Sequence, residues 1–395
     1  MKTTGIVIGA GSDSLHAIGV ARAMGVRVIA VDGNPEAAGF EFADEKRCVD
    51  ISDLESVKRA VAEIRPDFVI PVPIGRYLTT IGAVNEAFGF KGLQRQGSIF
   101  STDKYLFHQK LSENRLRNCR NYLLEPCKEP AGGFDISFPA IIKPRYGSGS
   151  RYISYLVDED DLAQALDSVK NLKEDFVLEE AAPGDEYGVD GAVTGGKFQL
   201  ILLRKKYITA LPERQAVGYL TVMPGWDSAG LIPAVREYMQ RVAESLCMDN
   251  CLLHADIMIN GQDIFVIEAS ARPSGHNLHN VLVPLSTGVD MIKEYIHFLT
   301  DKPFSFIPKY TKGMLIRYFD FENRTVRYVP GECDIAKKTG FNLIKWKCNI
   351  KKGDYMNKVT DGHSIMDRGF FVIEGTDEEE LQRQGNWILS QFEME

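Results

Sequence analysis

The sequence predicts a multidomain protein of α/β and α+β type, and three observations carry that expectation. The chain has 395 residues, more than one typical core accommodates, so two or three domains are expected. Residues 4 to 90 alternate short apolar strands with helical patterns, the rhythm of βαβ units on a parallel sheet. From Asn121 to Ser270 strands dominate, several at hairpin spacing, which is the mark of antiparallel sheets.

The N-terminal elements read in order as the strand "GIVIG", a helix from about Asp13 to Met24, the strand "VRVIAVD", a helix from about Asp53 to Ile64, the strand "DFVIPVP" and a helix from about Tyr77 to Phe88. In "VIGAGSDS", Gly9 and Gly11 stand between strand and helix, and Asp32 closes the second strand. That resembles a dinucleotide fingerprint, but Ser14 holds the third glycine position and no redox-specific feature follows. Around "KGLQRQGSIFSTDKYLFHQKL" the rhythm changes, with Ser101 or Thr102 as the expected helix cap. Helical patterns interrupt the middle region near Asp160 to Lys170 and Ile232 to Leu246. From about Pro303 come short strands, "MLIRYFDF", "RTVRYVPG", "FNLIKWK" and "RGFFVIEG", and a last helix that Thr376 and Glu379 would open as a capping box.

Composition narrows the function. With 44% hydrophobic and 25% charged residues the chain is of ordinary soluble globular type. The formal net charge is −8, from 46 basic and 54 acidic side chains, and no basic run tracks a phosphate backbone, so nucleic acid is not the expected partner. An anionic ligand must therefore be held by local groups. The apolar segments are short and broken by charge, and "MKTTGIVIGAG" is not a signal peptide, so no membrane is expected as partner. Seven cysteines in an odd, scattered set without CxxC disfavour both metal clusters and a disulfide framework, and fit a reducing cytoplasm.

Three stretches carry chemistry. In "FPAIIKPRYGSGSRYISYLVD" Lys143 ends an apolar run ahead of a loop at 147 to 150. Strand, Gly-Ser turn, strand is the usual hairpin. The same stretch also serves as a phosphate lid, with backbone amides from the loop and a point charge from Lys143. A Walker A loop is excluded, because the lysine precedes the glycines. In "FVLEEAAPGDEYGVDGAV" the acids Glu179, Glu180 and Glu186 are either a solvated strand end or an adenosine slot, with the backbone at 180 to 182 reading adenine and Glu186 reading ribose.

The third stretch is "CLLHADIMINGQDIFVIEASARPSG", two strands about an "NG" turn. A two-residue turn sets Asp256 opposite Phe265, with Glu268 on the other face. A three-residue loop of Asn260, Gly261 and Gln262 makes Asp256 and Glu268 diagonal neighbours on one face, roughly 7 to 8 Å apart. The latter is the expectation, since Ala255, Ile257, Phe265 and Ile267 then fill the opposite, apolar face. Two hard oxygen ligands suit Mg²⁺ rather than zinc, with His254 as a packed neighbour. Arg272 places a cation beside the pair, where it would steady a phosphoryl group or oxyanion.

Taken in order, Lys104 in "TDKYLF", Lys143 before the glycine loop, "LEEAAPGDEY", Asp256 and "VIEASARPSG" resemble the ATP-grasp superfamily, especially its carboxylate-amine ligases. These include bacterial amino-acid ligases and relatives of biotin carboxylase. The resemblance implies a Rossmann-like pre-ATP-grasp domain over 1–97, a two-lobed ATP-grasp domain over 98–300 with a lid subdomain at about 110–180, and a small β-rich C-terminal domain over 301–395. It implies ATP and Mg²⁺ as cofactors. Lys104, Lys143, Gly147, Ser148, Gly149 and Ser150 would hold the phosphates, with Glu179, Glu180 and Ala182 at the adenine and Glu186 at the ribose. Asp256, Glu268 and Ser270 would hold magnesium, and Lys143 and Arg272 would be catalytic. Ser270 departs from the family pattern E-x-N-x-R, and a hydroxyl is a weaker magnesium ligand than the usual carbonyl oxygen. Arg272, Ser274, Gly275 and His276 are the candidates for gripping a substrate, with a polar helix start as the other role of His276 and His279.

The implied reaction joins a small-molecule carboxylate to an amine through an acylphosphate, releasing ADP and phosphate, in a cytoplasmic protein for which a homodimer is the assembly considered. The alternatives are a bicarbonate-dependent carboxy-phosphate or carbamoyl-phosphate-type synthetase, and a nucleotide-binding protein without ligase chemistry.

Overall fold

The structure, a computed structural model, describes residues 3–117, 119–125, 133–147, 152–208, 217–227, 230–339, 341–359 and 362–395. At the N-terminus β1 (Thr4–Ile8), β2 (Arg27–Asp32), β3 (Glu45–Cys48) and β4 (Phe68–Val69) form a parallel sheet in the order β3-β2-β1-β4. β1 is buried throughout, as the continuous apolar run of a covered parallel strand demands. Asp53 caps the helix Leu54–Ile64 by accepting from the Ser56 amide, and Arg65 ends it in the left-handed region at φ 53°. The polar edge strand β3, "EKRC", carries no apolar signal and was not foreseen from the sequence. The strand order reverses between β1 and β4, and there the loops after both strands meet: a Cβ added at Gly9 would lie 2.8 Å from Ile74 Cδ1. Such a reversal opens a crevice at the carboxyl ends of the strands.

The helix Lys104–Glu113 follows. Its cap is Asp103 rather than the expected Ser101 or Thr102, with Asp103 Oδ1 accepting from the Tyr105 and Leu106 amides. The Ser101 and Thr102 hydroxyls point back instead, to the carbonyls of Gly97 and Ser98 at the end of the preceding helix Arg95–Phe100. Next, β5 (Asn121–Leu124), β6 (Ala140–Pro144), β7 (Ser154–Leu156) and β8 (Phe176–Glu180) form an antiparallel sheet in the order β5-β8-β6-β7. Its apolar face packs with Leu162 and Ala165 of the helix Glu159–Val169. β6 and β7 pair as the hairpin expected around the glycine loop.

The largest sheet draws on β9 (Asp185–Thr194), β10 (Lys197–Ile208), β11 (Val217–Val222), β12 (Cys251–Asn260) and β13 (Asp263–Ser270). The chain continues with β14 (Met314–Tyr318), β15 (Arg324–Tyr328), β16 (Asn342–Cys348), β17 (Tyr355–Met356), β18 (Gly369–Glu374) and β19 (Glu393–Met394). Eight of these strands run antiparallel in the order β13-β12-β9-β10-β11-β14-β18-β16, so the C-terminal strands extend the central sheet. β17, β15 and β19 form a separate three-stranded sheet, and Leu315, Phe319, Val326, Phe371 and Ile388 share a core of their own. The helix Leu231–Ser245 buries Val235, Met239 and Val242. The last helix, Glu378–Ser390, is capped by Asp377, which accepts from the Glu380 amide, one residue beyond the expected Thr376.

Candidate functional site

The β12–β13 hairpin sets the acids face to face. Its turn is the tight one: Asn260 pairs with Asp263, leaving Gly261 and Gln262 between the strands, with Gly261 at φ 62°. The expected three-residue loop is therefore not formed. The extra residue is accommodated inside the ladder, where Ile257 opposes Val266 but Asp256 opposes Glu268, so Ile267 bulges. This corrects the apolar face as well: Ala255, Ile257, Val266 and Ala269 fill it, in place of Phe265 and Ile267. Direct opposition brings two side chains closer than the diagonal arrangement would.

Asp256 Oδ2 accepts from Lys206 Nζ at 2.8 Å, while Oδ1 is buried without a hydrogen-bond partner among the described residues. Burial alone would favour the protonated acid, but the Lys206 charge, followed by His254, holds the Asp256 carboxyl well below the usual carboxylate range. Lys206 also pairs with Glu186, and the two acids keep it charged against the cost of burial. The Glu268 carboxylate is engaged by no hydrogen bond or ion pair among the described residues. Ligand atoms of His254, Asp256 and Glu268 lie within 4.8 Å of one another. His254 is nevertheless a poor ligand. Arg204 Nη2, which can only donate, sits 3.1 Å from His254 Nδ1, so Nδ1 is the acceptor and the proton rests on Nε2. Burial pushes the His254 pKa down to about 3, and the ring is neutral with no lone pair to offer.

Arg204 is itself buried and crosses the sheet over Gly188, where a Cβ would lie 2.5 Å from its Cζ. Only glycine leaves room for that crossing. The guanidinium reaches Asp190 on β9, and Ser274, fully buried, stands beside the same acid. Arg272 ends the row. It donates to the Pro273 carbonyl at 2.9 Å, and although burial lowers its pKa, the fields of Glu268, Asp13, Asp256 and Asp190 oppose that shift.

A second constellation surrounds Glu179, which is wholly buried. Lys143 Nζ lies 2.9 Å from Oε1, Arg117 Nη2 lies 3.4 Å from Oε1, and His108 Nε2 lies 2.5 Å from Oε2. Burial would raise the Glu179 pKa, yet His108, Lys143 and Arg117 together hold it well below the ordinary value. The two strand-end acids thus face protein groups. Glu180 accepts from the Arg120 and Ser137 amides at 3.0 and 3.1 Å, and the Glu180 and Ala181 amides donate to Arg120 and Pro139 carbonyls. Ala182 alone in that stretch has its backbone groups unengaged among the described residues.

Lys104 approaches from the other side. Its ammonium donates to the Gly147 carbonyl at 2.7 Å, and burial lowers its pKa while Glu268 raises it and Lys143 adds to the lowering. Gly147 stands at φ 112°, a conformation that favours glycine. Ser148, Gly149 and Ser150, the rest of the expected phosphate loop, lie outside the described residues. Lys104, Gly147, Glu268, Ser270 and Arg272 line one open cavity of about 500 Å³, closed on its far side by Ile74, Gly75 and Arg76 from the loop after β4. Gly275 and His276 lie one turn on. His276 stands at φ 60°, its carbonyl accepts from the Tyr318 hydroxyl at 2.8 Å, and His279 packs against Ser274 and His16 instead of entering the row.

Residues 136–280, which include Lys143, Glu179, Lys206, Asp256, Glu268 and Arg272 but not His108 or Arg117, match the ATP-grasp domain family. In that segment the chain resembles an ATP-grasp domain. A formate-dependent phosphoribosylglycinamide formyltransferase of Prochlorococcus marinus subsp. pastoris is 25% identical over 291 residues, 68% of this chain and 69% of that one. Among solved structures, an L-amino acid ligase from Bacillus licheniformis superposes with TM-score 0.80 at 14% identity, covering 100% of this chain and 98% of that one. A phosphoribosylglycinamide synthetase from Anaerococcus prevotii gives 0.71 at 15%, covering 100% and 99%. These likenesses agree on the multidomain fold. In the N-terminal domain Asp32 Oδ2 accepts from the Ala10 amide at 2.7 Å and Oδ1 from the Asn34 amide at 2.8 Å, so that acid braces the loops after β1 and β2.

Sequence reasoning missed Lys206, Arg204, Asp190, His108 and Arg117 in the candidate site. For the first two a signal existed, since positions 204 and 206 of "LLRKKYI" share one face of a strand by alternation. His108 and Arg117 carry none, because their partner is 62 or more residues away in sequence.

Proposed function

We propose that the protein is an ATP-dependent carboxylate-amine ligase. The observation that carries this reading is the meeting of Lys104, Glu268, Ser270 and Arg272 on one cavity, with a buried Asp256 oxygen nearby that lacks a hydrogen-bond partner among the described residues. In the first step a substrate carboxylate oxygen forms a bond to the γ-phosphorus of ATP as the β–γ bridging P–O bond breaks, giving an acylphosphate and ADP. In the second the amine nitrogen attacks the acyl carbon, phosphate leaves and the nitrogen sheds a proton.

Lys104, Lys143 and the Gly147 backbone would hold the phosphates, with Ser148, Gly149 and Ser150 continuing that loop. The free backbone at Ala182 would meet the adenine and Glu186 the ribose, while Glu179 and Glu180 brace the slot from behind. Asp256 and Glu268, with Ser270 beside them, are hard oxygen donors on one face and suit a magnesium ion, which when bound neutralises developing phosphate charge. Arg272 would grip the transferring phosphoryl group or the substrate carboxylate, with Ser274, Gly275 and His276 shaping the substrate end. Positioning and charge supply most of the catalysis in phosphoryl transfer, and fixed cations at these positions provide both. The domain division follows the same reading, with 1–97, 98–300 and 301–395 as the pre-ATP-grasp, ATP-grasp and C-terminal units. Among the described residues no helix is long and apolar enough to cross a membrane, and the six described cysteines are free, which supports the cytoplasmic setting we infer.

ADP release measured over carboxylate and amine pairs tests the reading, with formate, bicarbonate and L-amino acids as separate carboxylate arms. The expected result is ADP formed together with an amide. ADP release driven by bicarbonate alone would move the assignment to a carboxy-phosphate synthetase. Turnover unchanged in Lys143→Ala and Glu268→Ala would refute the site.

A further inference from the structure

The two lysines that the proposed function gives to the phosphates sit on different elements, Lys104 on a helix and Lys143 on β6. Something must fix their spacing, because the two like charges repel: each lies in the other's field, and Lys143 contributes to lowering the Lys104 pKa. The connection is Asp103. Its carboxylate is 3% exposed and takes a bidentate grip from Arg145, with Nε at 2.9 and 3.0 Å and Nη2 at 2.7 Å. Tyr146 adds its hydroxyl at 2.9 Å. Asp103 precedes Lys104, and Arg145 follows Lys143 by two residues on the same chain. The backbones are tied as well, the Lys104 amide donating to the Arg145 carbonyl at 3.1 Å and the Arg145 amide to the Asp175 carbonyl at 2.8 Å. Arg145 Nη1 adds a second anchor on the Asp175 side chain at 3.0 Å.

We infer that Asp103, through Arg145 and Tyr146, is a positioning residue that locks Lys104 and Lys143 into a single anion-binding pair. A bidentate carboxylate–guanidinium fork is the side-chain pairing best suited to fixing one backbone against another, since it constrains angle as well as distance. Asp103 has a second duty as helix cap, and the two are separable. Asparagine caps a helix as well as aspartate does but cannot hold the charged fork. The inference rests on the proposed function, because it takes the lysines to meet a polyphosphate.

The test uses the full chain, with MgATP and AMP as probes in calorimetric titration, and thermal unfolding alongside. In Asp103→Asn and Arg145→Lys, MgATP affinity is expected to fall about tenfold, the scale of a lost charge-assisted contact. AMP, which reaches the adenosine end and not the lysine pair, should keep its affinity within about twofold, and Asp103→Glu should restore part of the MgATP binding. Unchanged MgATP affinity in Asp103→Asn at an unchanged Tm would overturn the inference. So would equal losses for MgATP and AMP, which would mark Asp103 as a fold residue only. Wild-type protein that binds AMP but not MgATP more tightly would overturn the phosphate role of the lysines themselves, and no nucleotide binding at all would sink the functional reading beneath it.

Discussion

Two acid-bearing regions of the molecule look alike in sequence and differ in what their carboxylates do. The N-terminal loop "VIGAGSDS" and its Asp32 have the outline of a nucleotide site, yet both Asp32 oxygens accept from backbone amides, of Ala10 in that loop and of Asn34 after β2. In the β12–β13 hairpin, among the described residues, Glu268 has no hydrogen-bond or ion-pair partner and Asp256 keeps one buried oxygen without a hydrogen-bond partner. Buried polar groups are almost always satisfied internally, so an unsatisfied acid is the exception that points to a ligand. The lesson is that an acid's partners, more than its spacing from glycines, separate a brace from a site.

The sharpest way to break the comparison is to remove Glu268. Turnover in Glu268→Ala should fall by about 10²- to 10³-fold, as when a preorganised transition-state contact is lost, while Tm barely moves because no folded-state partner is orphaned. Coupled ADP assay and differential scanning calorimetry read both numbers, and a large drop in Tm with activity retained would reverse the assignment. Glu179 is the opposite case. Glu179→Gln leaves Lys143 and Arg117 buried without their counter-charge, so a stability loss of about 3 to 5 kcal/mol is expected in urea titration. A loss below about 1 kcal/mol would show that the cluster does not hold the fold.

The buried histidines give a pH signature of the same contrast. Burial, opposed by Glu179, lowers His108 to about 4, and burial lowers His254 to about 3. Both are neutral when folded and free to protonate when unfolded, so the stability they contribute is present above the ordinary histidine value and is lost as pH falls from there through about 4 and about 3. Midpoints of urea unfolding should therefore decline as pH drops below about 6.5, and His108→Gln should flatten the upper part of that slope. A slope unchanged in the variant would mean that His108 is already charged in the folded protein.

Much of the fold was legible because it rests on local signals. The N-terminal βαβ rhythm, the hairpin around the glycine loop and the helix Leu231–Ser245 follow from apolar periodicity and turn residues. β3 escaped because an exposed edge strand needs no apolar face, and the caps fall on Asp103 and Asp377, one or two residues beyond the expected hydroxyls, because an aspartate next in sequence supplies the acceptor while Ser101 and Thr102 turn back to helix carbonyls. In the site, the acids Asp256 and Glu268 were readable, but the bulge that makes them opposite neighbours depends on tertiary packing of Val266 against the core. The engagement of Glu179 by His108 and Arg117 was beyond reach for the same reason, since no local pattern encodes a partner so distant in the chain.

The smallest effect expected is at Asp32, and it tests the decoy directly. Asp32→Ala removes the acceptors of the Ala10 and Asn34 amides, and Ala10 is fully buried, so its N–H is left without a partner. An orphaned buried donor costs about 1 to 3 kcal/mol, here toward the lower end because the Asn34 amide reaches water. The expected result is a modest fall in Tm, ligase turnover within about twofold of wild type, and no change in NADH fluorescence in either protein. If instead wild-type protein quenched or enhanced NADH fluorescence and Asp32→Ala abolished the change, the loop would be a dinucleotide site and the contrast between brace and site would fail at its own example.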